Sequence, residues 1–364
     1  MALGRENMDG LNSGSKIAVG SLPYLHPETA VHSQMSFFPE IPAWPQLPKK
    51  SIRETMIRQG LSGLPGLSWD HQEQPLWALS PSDSEEALEL LKWGNEENKL
   101  ERACFQKEEA EGFFTFLKVL GEKQPASLKA LKGQCAGPVT LGLAIQDENG
   151  KPILHSKKGM EVLREYLLLH SRWQIRELST IGKPVIFFLD EPSLNGLFEP
   201  EKYGYQWKEI REWYRVFYEA LQEEGVLTGL HCCGPGSWDW FFESPVEIFH
   251  IDGFRYMNQV EAQAGAFAGF IRRGGILAWG MVPTTMSQGV FPEPKELFER
   301  WLDVFRSLRR QGISAEEIAG RSFFSTACGL GASSISVAEE AGRCLDMLVS
   351  LWKTAAREGF EKIP

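Results

Sequence analysis

The sequence has no apolar run approaching the roughly 20 residues that span a bilayer, so no membrane segment is expected. It also lacks a basic excess. Lys and Arg number 38 against 48 Asp and Glu, a net charge of −10. An acidic chain without a basic cluster is a poor partner for nucleic acid or anionic lipid. Cysteine is sparse, at six in 364 residues, which is too few for a disulfide scaffold. The opening stretch, MALGRENMDGLNSGSK, is polar and has no apolar signal core. A reducing, cytoplasmic setting is therefore expected, with residues 1–16 as a flexible segment. No G-x-G-x-x-G and no G-x-x-x-x-G-K-[ST] occurs, which removes the common phosphate-binding loops.

What the sequence does contain is an alternation. Eight short β-rich runs lie at 17–23, 41–48, 131–139, 184–192, 225–234, 246–254, 275–284 and 321–331. Several are nearly continuous in apolar residues, as parallel strands buried on both faces are. Between them lie helical patterns at 159–178, 206–224, 294–310 and 337–358. In the second of these, Trp207, Ile210, Trp213, Tyr214, Phe217, Tyr218 and Leu221 recur at threes and fours and make one apolar stripe. Eight strands with intervening helices predict an α/β fold, a (β/α)8 TIM barrel over 17–364. The long gap between the second and third runs predicts a helical insertion at about 51–128, since a structureless loop of that length is improbable. Ser82 and Glu85 read as a capping box within it, and the insertion is expected over the mouth.

In such a barrel the chemistry sits at the carboxyl ends of the strands. Those ends offer Gly20-Ser21, Gln134-Cys135, Asp190-Glu191, His231-Cys232-Cys233, His250, Asp252, Trp279 to Thr285, and Cys328. His231 and Cys233 are two apart, so their side chains share a face while Cys232 points elsewhere. Cys328 can add a third ligand from another strand end. One imidazole and two thiolates suit Zn²⁺ and leave one position open, as in a catalytic site. The alternative is that these cysteines, like Cys104, Cys135 and Cys344, are packing residues. Asp190, with Glu191 beside it, either binds a substrate ammonium or caps the next helix. Asp252 is either a fourth zinc ligand or a residue that orients His231. His250 shares the Asp252 face, though a histidine so placed is more often a core residue. Gly20 and Ser21 offer a turn and a hydroxyl to a small polar substrate, or simply make the turn.

The segments V-G-S-L-P at 19–23, F-P-E-I-P-A-W-P-Q-L-P-K at 38–49, G-Q-C-A-G-P-V-T at 133–140, L-D-E-P at 189–192, H-C-C at 231–233, G-M-V-P-T at 280–284 and A-C-G-L-G at 327–331 resemble the cobalamin-independent methionine synthase superfamily. That superfamily is related to uroporphyrinogen decarboxylase and to corrinoid-linked zinc methyltransferases. The resemblance covers about 17–355 and is to the catalytic barrel alone. It implies a methyltransferase that activates a small thiol, homocysteine first, as a zinc thiolate. It implies zinc on His231, Cys233 and Cys328, with Asp252 where methionine synthases carry a Glu. Ser21 and Asp190 are implied as contacts to the amino acid part of the substrate.

Thr284 stands near the place where those enzymes carry a histidine. The single-barrel span points to methylcobalamin on a partner corrinoid protein as the methyl donor. No D-x-H-x-x-G is present for the chain to hold a corrinoid itself. The alternatives are a coenzyme M-type thiol methyltransferase, a metal-free decarboxylase of the uroporphyrinogen type and a non-enzymatic corrinoid-protein partner. The decarboxylase needs basic residues near the N-terminus, and 17–25 contains none.

Overall fold

A computed structural model describes residues 11, 13–93, 95–194, 199–203, 207–236, 238–286 and 290–360. In chain order the strands are β1 (Leu67–Trp69), β2 (Pro75–Trp77), β3 (Leu131–Ala136), β4 (Val185–Asp190), β5 (Leu227–Cys232), β6 (Ile248–Ile251), β7 (Ile276–Val282) and β8 (Ser322–Thr326). The helices are α1 (Pro27–Phe37), α2 (Met56–Gly60), α3 (Pro81–Lys92), α4 (Glu96–Glu101), α5 (Glu111–Glu122), α6 (Pro138–Ala144) and α7 (Lys157–Ser179). They continue with α8 (Trp207–Glu223), α9 (Asp239–Glu243), α10 (Gly253–Ala262), α11 (Ala264–Arg272), α12 (Pro294–Arg310), α13 (Ala315–Gly320) and α14 (Ile335–Glu358).

Strands β3 to β8 form a parallel sheet in simple sequential order, each paired with the next. The remaining two barrel positions are filled by extended segments that make bridges instead of full strands. Lys16 bridges Phe324 of β8, Ile17 bridges Ile41, Ser21 bridges Gln46, and Ala43 bridges Lys132 of β3, all in parallel. These bridges run from one edge of the sheet to the other and complete the (β/α)8 ring. The second segment reads I-P-A-W-P-Q-L-P. Its three prolines each remove a ladder donor, which is why it bridges its neighbours and does not form a continuous strand. The hydrogen bonding of the first segment begins at Gly14, whose N–H donates to the Ser322 carbonyl at 2.8 Å. Ser15 and Lys16 are buried too. The barrel therefore starts a few residues before position 17, and the remainder of 1–16 lies largely outside the described residues.

Alternation along the strands divides the apolar residues into two cores. Ile17, Ile41, Ala130, Ile186, Phe188, Ile248, Ala278 and Phe323 fill the inside of the barrel. Leu131, Phe187, Leu189, Leu230, Phe249, Leu277, Trp279 and Phe324 belong to the larger core packed by the outer helices. The long helices α7, α8, α12 and α14 coincide closely with the patterns expected from 3.6-residue periodicity. Among the described residues no helix is long and apolar enough to cross a membrane.

The insertion differs from expectation in three ways. It is not wholly helical, because β1 and β2 form an antiparallel hairpin. Asp70 Oδ1 turns that hairpin by accepting the backbone N–H groups of Gln72 and Gln74, each at 2.8 Å. The capping box lies two residues earlier than expected, at Ser80 and Asp83. Finally, α3 and α4 pack on α7 and α5 packs on α1. Most of the insertion thus lies along the flank. It meets the rim through Gln59, whose Oε1 accepts Gln46 Nε2 at 2.8 Å.

Candidate metal centre

The β5 run L-T-G-L-H-C places residues on alternate faces. Leu230 and Cys232 enter the outer core, and the Cys232 thiol donates to the Leu194 carbonyl at 2.8 Å. Gly229 and His231 face inward. A Cβ on Gly229 would overlap the Phe188 ring, so glycine here makes room for the aromatic that floors the site. His231 lies at the top of β5, in register with Asp190 of β4 and His250 of β6. Cys233 follows just beyond the strand on the same face.

Cys328 is brought in from the end of β8. Its carbonyl accepts Thr326 Oγ1 at 2.8 Å. The next turn is tied across the barrel seam to Ser21, whose carbonyl accepts Leu330 N–H at 2.9 Å and whose hydroxyl accepts Gly331 N–H at 3.2 Å. Gly329 and Gly331 both approach Ser21 closely enough that a Cβ would collide with it. Ser21 therefore holds the Cys328 loop. Gly20, at φ +145°, keeps the preceding turn clear of the Gln134 side chain.

The outcome is a cluster in which one donor atom each from His231, Cys233 and Cys328 lies within 4.8 Å of the others. His231 Nε2 is 3.8 Å from Cys328 Sγ. Zinc bonds of about 2.0 Å to nitrogen and 2.3 Å to sulfur put tetrahedral ligand atoms about 3.5–3.8 Å apart. The donor set and its spacing fit that ion. The hydrogen bond from Cys328 holds the Cys233 thiol below the ordinary range, against the effect of burial. The same bond, together with burial, pushes Cys328 up. Burial works against a charged His231, but the Cys328 thiol and the Asp190 carboxylate outweigh it and raise its pKa.

Beneath the cluster lies a polar layer. Lys132 on β3 is 1% exposed. Its Nζ donates to the Val19 carbonyl at 2.7 Å and stands 4.6 Å from the centre of the Phe188 ring. Burial lowers its pKa to about 8, with Asp190 acting in the opposite direction. Gln134, two residues on, sits 3.4 Å from Lys132 Nζ through Oε1 and donates Nε2 to the Trp44 carbonyl at 3.0 Å. Asp190 is 6% exposed and its Oδ1 has no hydrogen-bond partner among the described residues. Burial raises its pKa, and Lys132 and His231 oppose that.

The other residues named from sequence are placed as follows. Asp252 stands outside the converging trio. Its Oδ1 caps α10 by accepting Arg255 N–H at 2.8 Å, while Oδ2, 3.6 Å from the Arg255 guanidinium, accepts no hydrogen bond. Glu191 requires a correction as a substrate contact. It is fully buried, and its oxygens accept the N–H groups of Val139 and Thr140 at 3.0 and 2.8 Å, besides the hydroxyls of Thr140 and Tyr214. One residue after the inward-facing Asp190, it lies on the opposite face and anchors α6 and α8. The Thr284 carbonyl accepts the Ser333 hydroxyl at 2.6 Å, which joins the β7 loop to the turn before α14. Cys135 and Cys344 are buried and Cys104 partly so, and none of the three joins the cluster.

One polar residue at the site, Lys132, was not singled out by sequence reasoning. Lys132 carried a signal, since K-G-Q puts two polar side chains on the inward face of a strand otherwise read as core. His250 was left open. The structure sets its Nδ1 2.6 Å from His231 Nδ1.

No family model matches the chain, and no curated protein does. Among solved structures, the fold is similar to that of a B12-independent methionine synthase from Shewanella sp. W3-18-1 in complex with selenomethionine. The two share 15% sequence identity over 95% of this chain and 99% of that one, with a TM-score of 0.55. A dihydropteroate synthase from Anaplasma phagocytophilum with bound 6-hydroxymethylpterin-monophosphate matches at 12% identity over 92% and 99% of the chains. Its TM-score of 0.28 carries no argument. The likeness to the first is one of fold, and that fold is the (β/α)8 barrel expected from the sequence.

Proposed function

We propose that this chain is a zinc-dependent methyltransferase that presents a small thiol, homocysteine first, to a methyl donor. The observation that carries the reading is the convergence of His231, Cys233 and Cys328 at the carboxyl end of a barrel. A bound zinc would supply Lewis acidity that keeps a substrate thiol deprotonated near neutral pH. Everything else is done by the chain. His231, Cys233 and Cys328 hold the ion and leave room for one more ligand. Asp190, buried beside His231 with an unpartnered oxygen, is the acceptor for a substrate ammonium. Ser21 and Gly20 support the Cys328 loop and the adjoining turn. In the transfer the substrate sulfur's lone pair forms the bond to methyl as the donor's bond to methyl breaks, and the donor keeps that electron pair.

The donor proposed is methylcobalamin on a partner corrinoid protein. Methyl-folate is the second reading. It is favoured by the fold neighbour, which is described as B12-independent and is matched over nearly its whole length by this single barrel. Metal analysis of purified protein and of Cys328→Ser tests the zinc, with one equivalent expected in the first and little in the second. Substoichiometric zinc unaffected by the substitution would remove the reading. Turnover of homocysteine with methylcobalamin and, separately, with methyltetrahydrofolate then decides between donors. Activity with neither would leave a barrel that does not transfer methyl to this thiol.

A further inference from the structure

His231 and His250 are neighbours in register on β5 and β6. Both are buried, their ring centroids are 4.5 Å apart, and their Nδ1 atoms are 2.6 Å apart. Two nitrogens at that distance share a hydrogen bond, so one must carry the proton and the other a lone pair. The choice follows from the far side of the His231 ring. His231 Nε2 points at the Cys328 thiol, 3.8 Å away. For that nitrogen to hold an ion it must offer a lone pair, so the His231 proton must sit on Nδ1. His250 Nδ1 is then the acceptor, and the His250 proton sits on Nε2, which is buried without a hydrogen-bond partner among the described residues.

We propose that His250 is a positioning residue that fixes His231 as the Nδ1–H tautomer, leaving the Nε2 lone pair directed at Cys233 and Cys328. The inference rests on the metal reading of that trio and deepens it. An imidazole ligand must offer a lone pair on the nitrogen that faces the ion, and the partner of its other nitrogen decides which one that is. Here the partner is a second imidazole.

The first test needs no variant. Long-range nitrogen–proton NMR spectra of the metal-free, full-length chain, taken at alkaline pH where both rings are neutral, identify which nitrogen of each ring is protonated. The expected result is a protonated Nδ1 on His231 and a protonated Nε2 on His250. A proton on His231 Nε2 would overturn the assignment. The second test is zinc affinity by competition with a chromophoric chelator. His250→Leu is expected to weaken binding by about 10- to 100-fold and to release His231 into a mixture of tautomers. His250→Gln, which can offer a carbonyl oxygen to His231, is expected to recover part of both. Unchanged affinity and tautomer in a folded His250→Leu would also overturn the proposal. A wild-type chain with the stated tautomers but no zinc affinity would support the His250 assignment while removing the metal reading.

Discussion

Lys132 shows how much a single buried charge must be compensated. An ammonium in a barrel interior loses its water, and this one recovers a carbonyl at 2.7 Å, an aromatic face and the nearby Asp190 carboxylate. The exchange runs both ways, because Lys132 also keeps Asp190 from rising further toward neutrality. Lys132→Met should therefore protonate Asp190 over a wider pH range and weaken its hold on an ammonium. The expected effect is a rise in KM for homocysteine that grows as pH falls. Steady-state kinetics at several pH values check this. A thiol of the same length without the ammonium should show no such rise. The cysteines make a separate prediction. Cys328 is pushed above the ordinary thiol range, so at neutral pH it is protonated and metal binding must displace that proton. Zinc affinity should then increase with pH, by about tenfold per unit while one proton is released. Chelator competition at stepped pH values reads the slope.

At the scale of elements, adjacent residues on one strand have separable effects. Asp190 and Glu191 differ by one position and so face opposite sides of β4. Glu191 collects the donors at the α6 N-terminus and the Tyr214 hydroxyl of α8. Glu191→Gln should lower stability by about 1–3 kcal/mol, since an amide turns an N–H toward those donors, and should leave zinc content intact. Asp190→Asn should instead raise KM, and any loss of stability should come through Lys132, whose buried charge it leaves less compensated. The insertion makes its own prediction through Glu54. This buried carboxyl accepts Gln59 Nε2 at 3.0 Å and Glu111 N–H at 2.8 Å, and burial raises its pKa to about 7. Folded protein holds this proton more tightly than unfolded protein does. Its contribution is therefore full below the unfolded pKa and is lost as pH rises through about 7. Thermal denaturation from mildly acidic to mildly alkaline pH should show that decline, roughly 3 kcal/mol at most, and Glu54→Gln should flatten it.

At the scale of the whole molecule, the barrel assembles ligands from strands that the chain visits far apart. The trio of His231, Cys233 and Cys328 joins the end of β5 to the end of β8, and Ser21 of the first barrel segment secures the latter. Metal binding should thus stabilise the fold globally. Removing zinc with a chelator is expected to lower the thermal midpoint, by an amount that grows with the affinity. Scanning calorimetry with and without chelator checks it.

Much of this was legible beforehand. The apolar runs of β3 to β8 and the stripes of α7, α8, α12 and α14 are local patterns, and each element formed close to where its pattern lay. His231 and Cys233 share a face because strand side chains alternate, a property of the backbone alone. The β1–β2 hairpin escaped notice because strands of three residues are too short to show alternation. The sequence by itself thus determined the barrel elements, their parallel order and the residue types available at the mouth. Only the tertiary structure decided that His231, Cys233 and Cys328 meet, that Lys132 lies beneath them, and that His250 touches His231 while Glu191 is committed elsewhere. The physical reason is that periodicity is set within a few residues. Distances across the barrel depend on how eight strand positions twist and stagger together, and that is written in no single stretch of the chain.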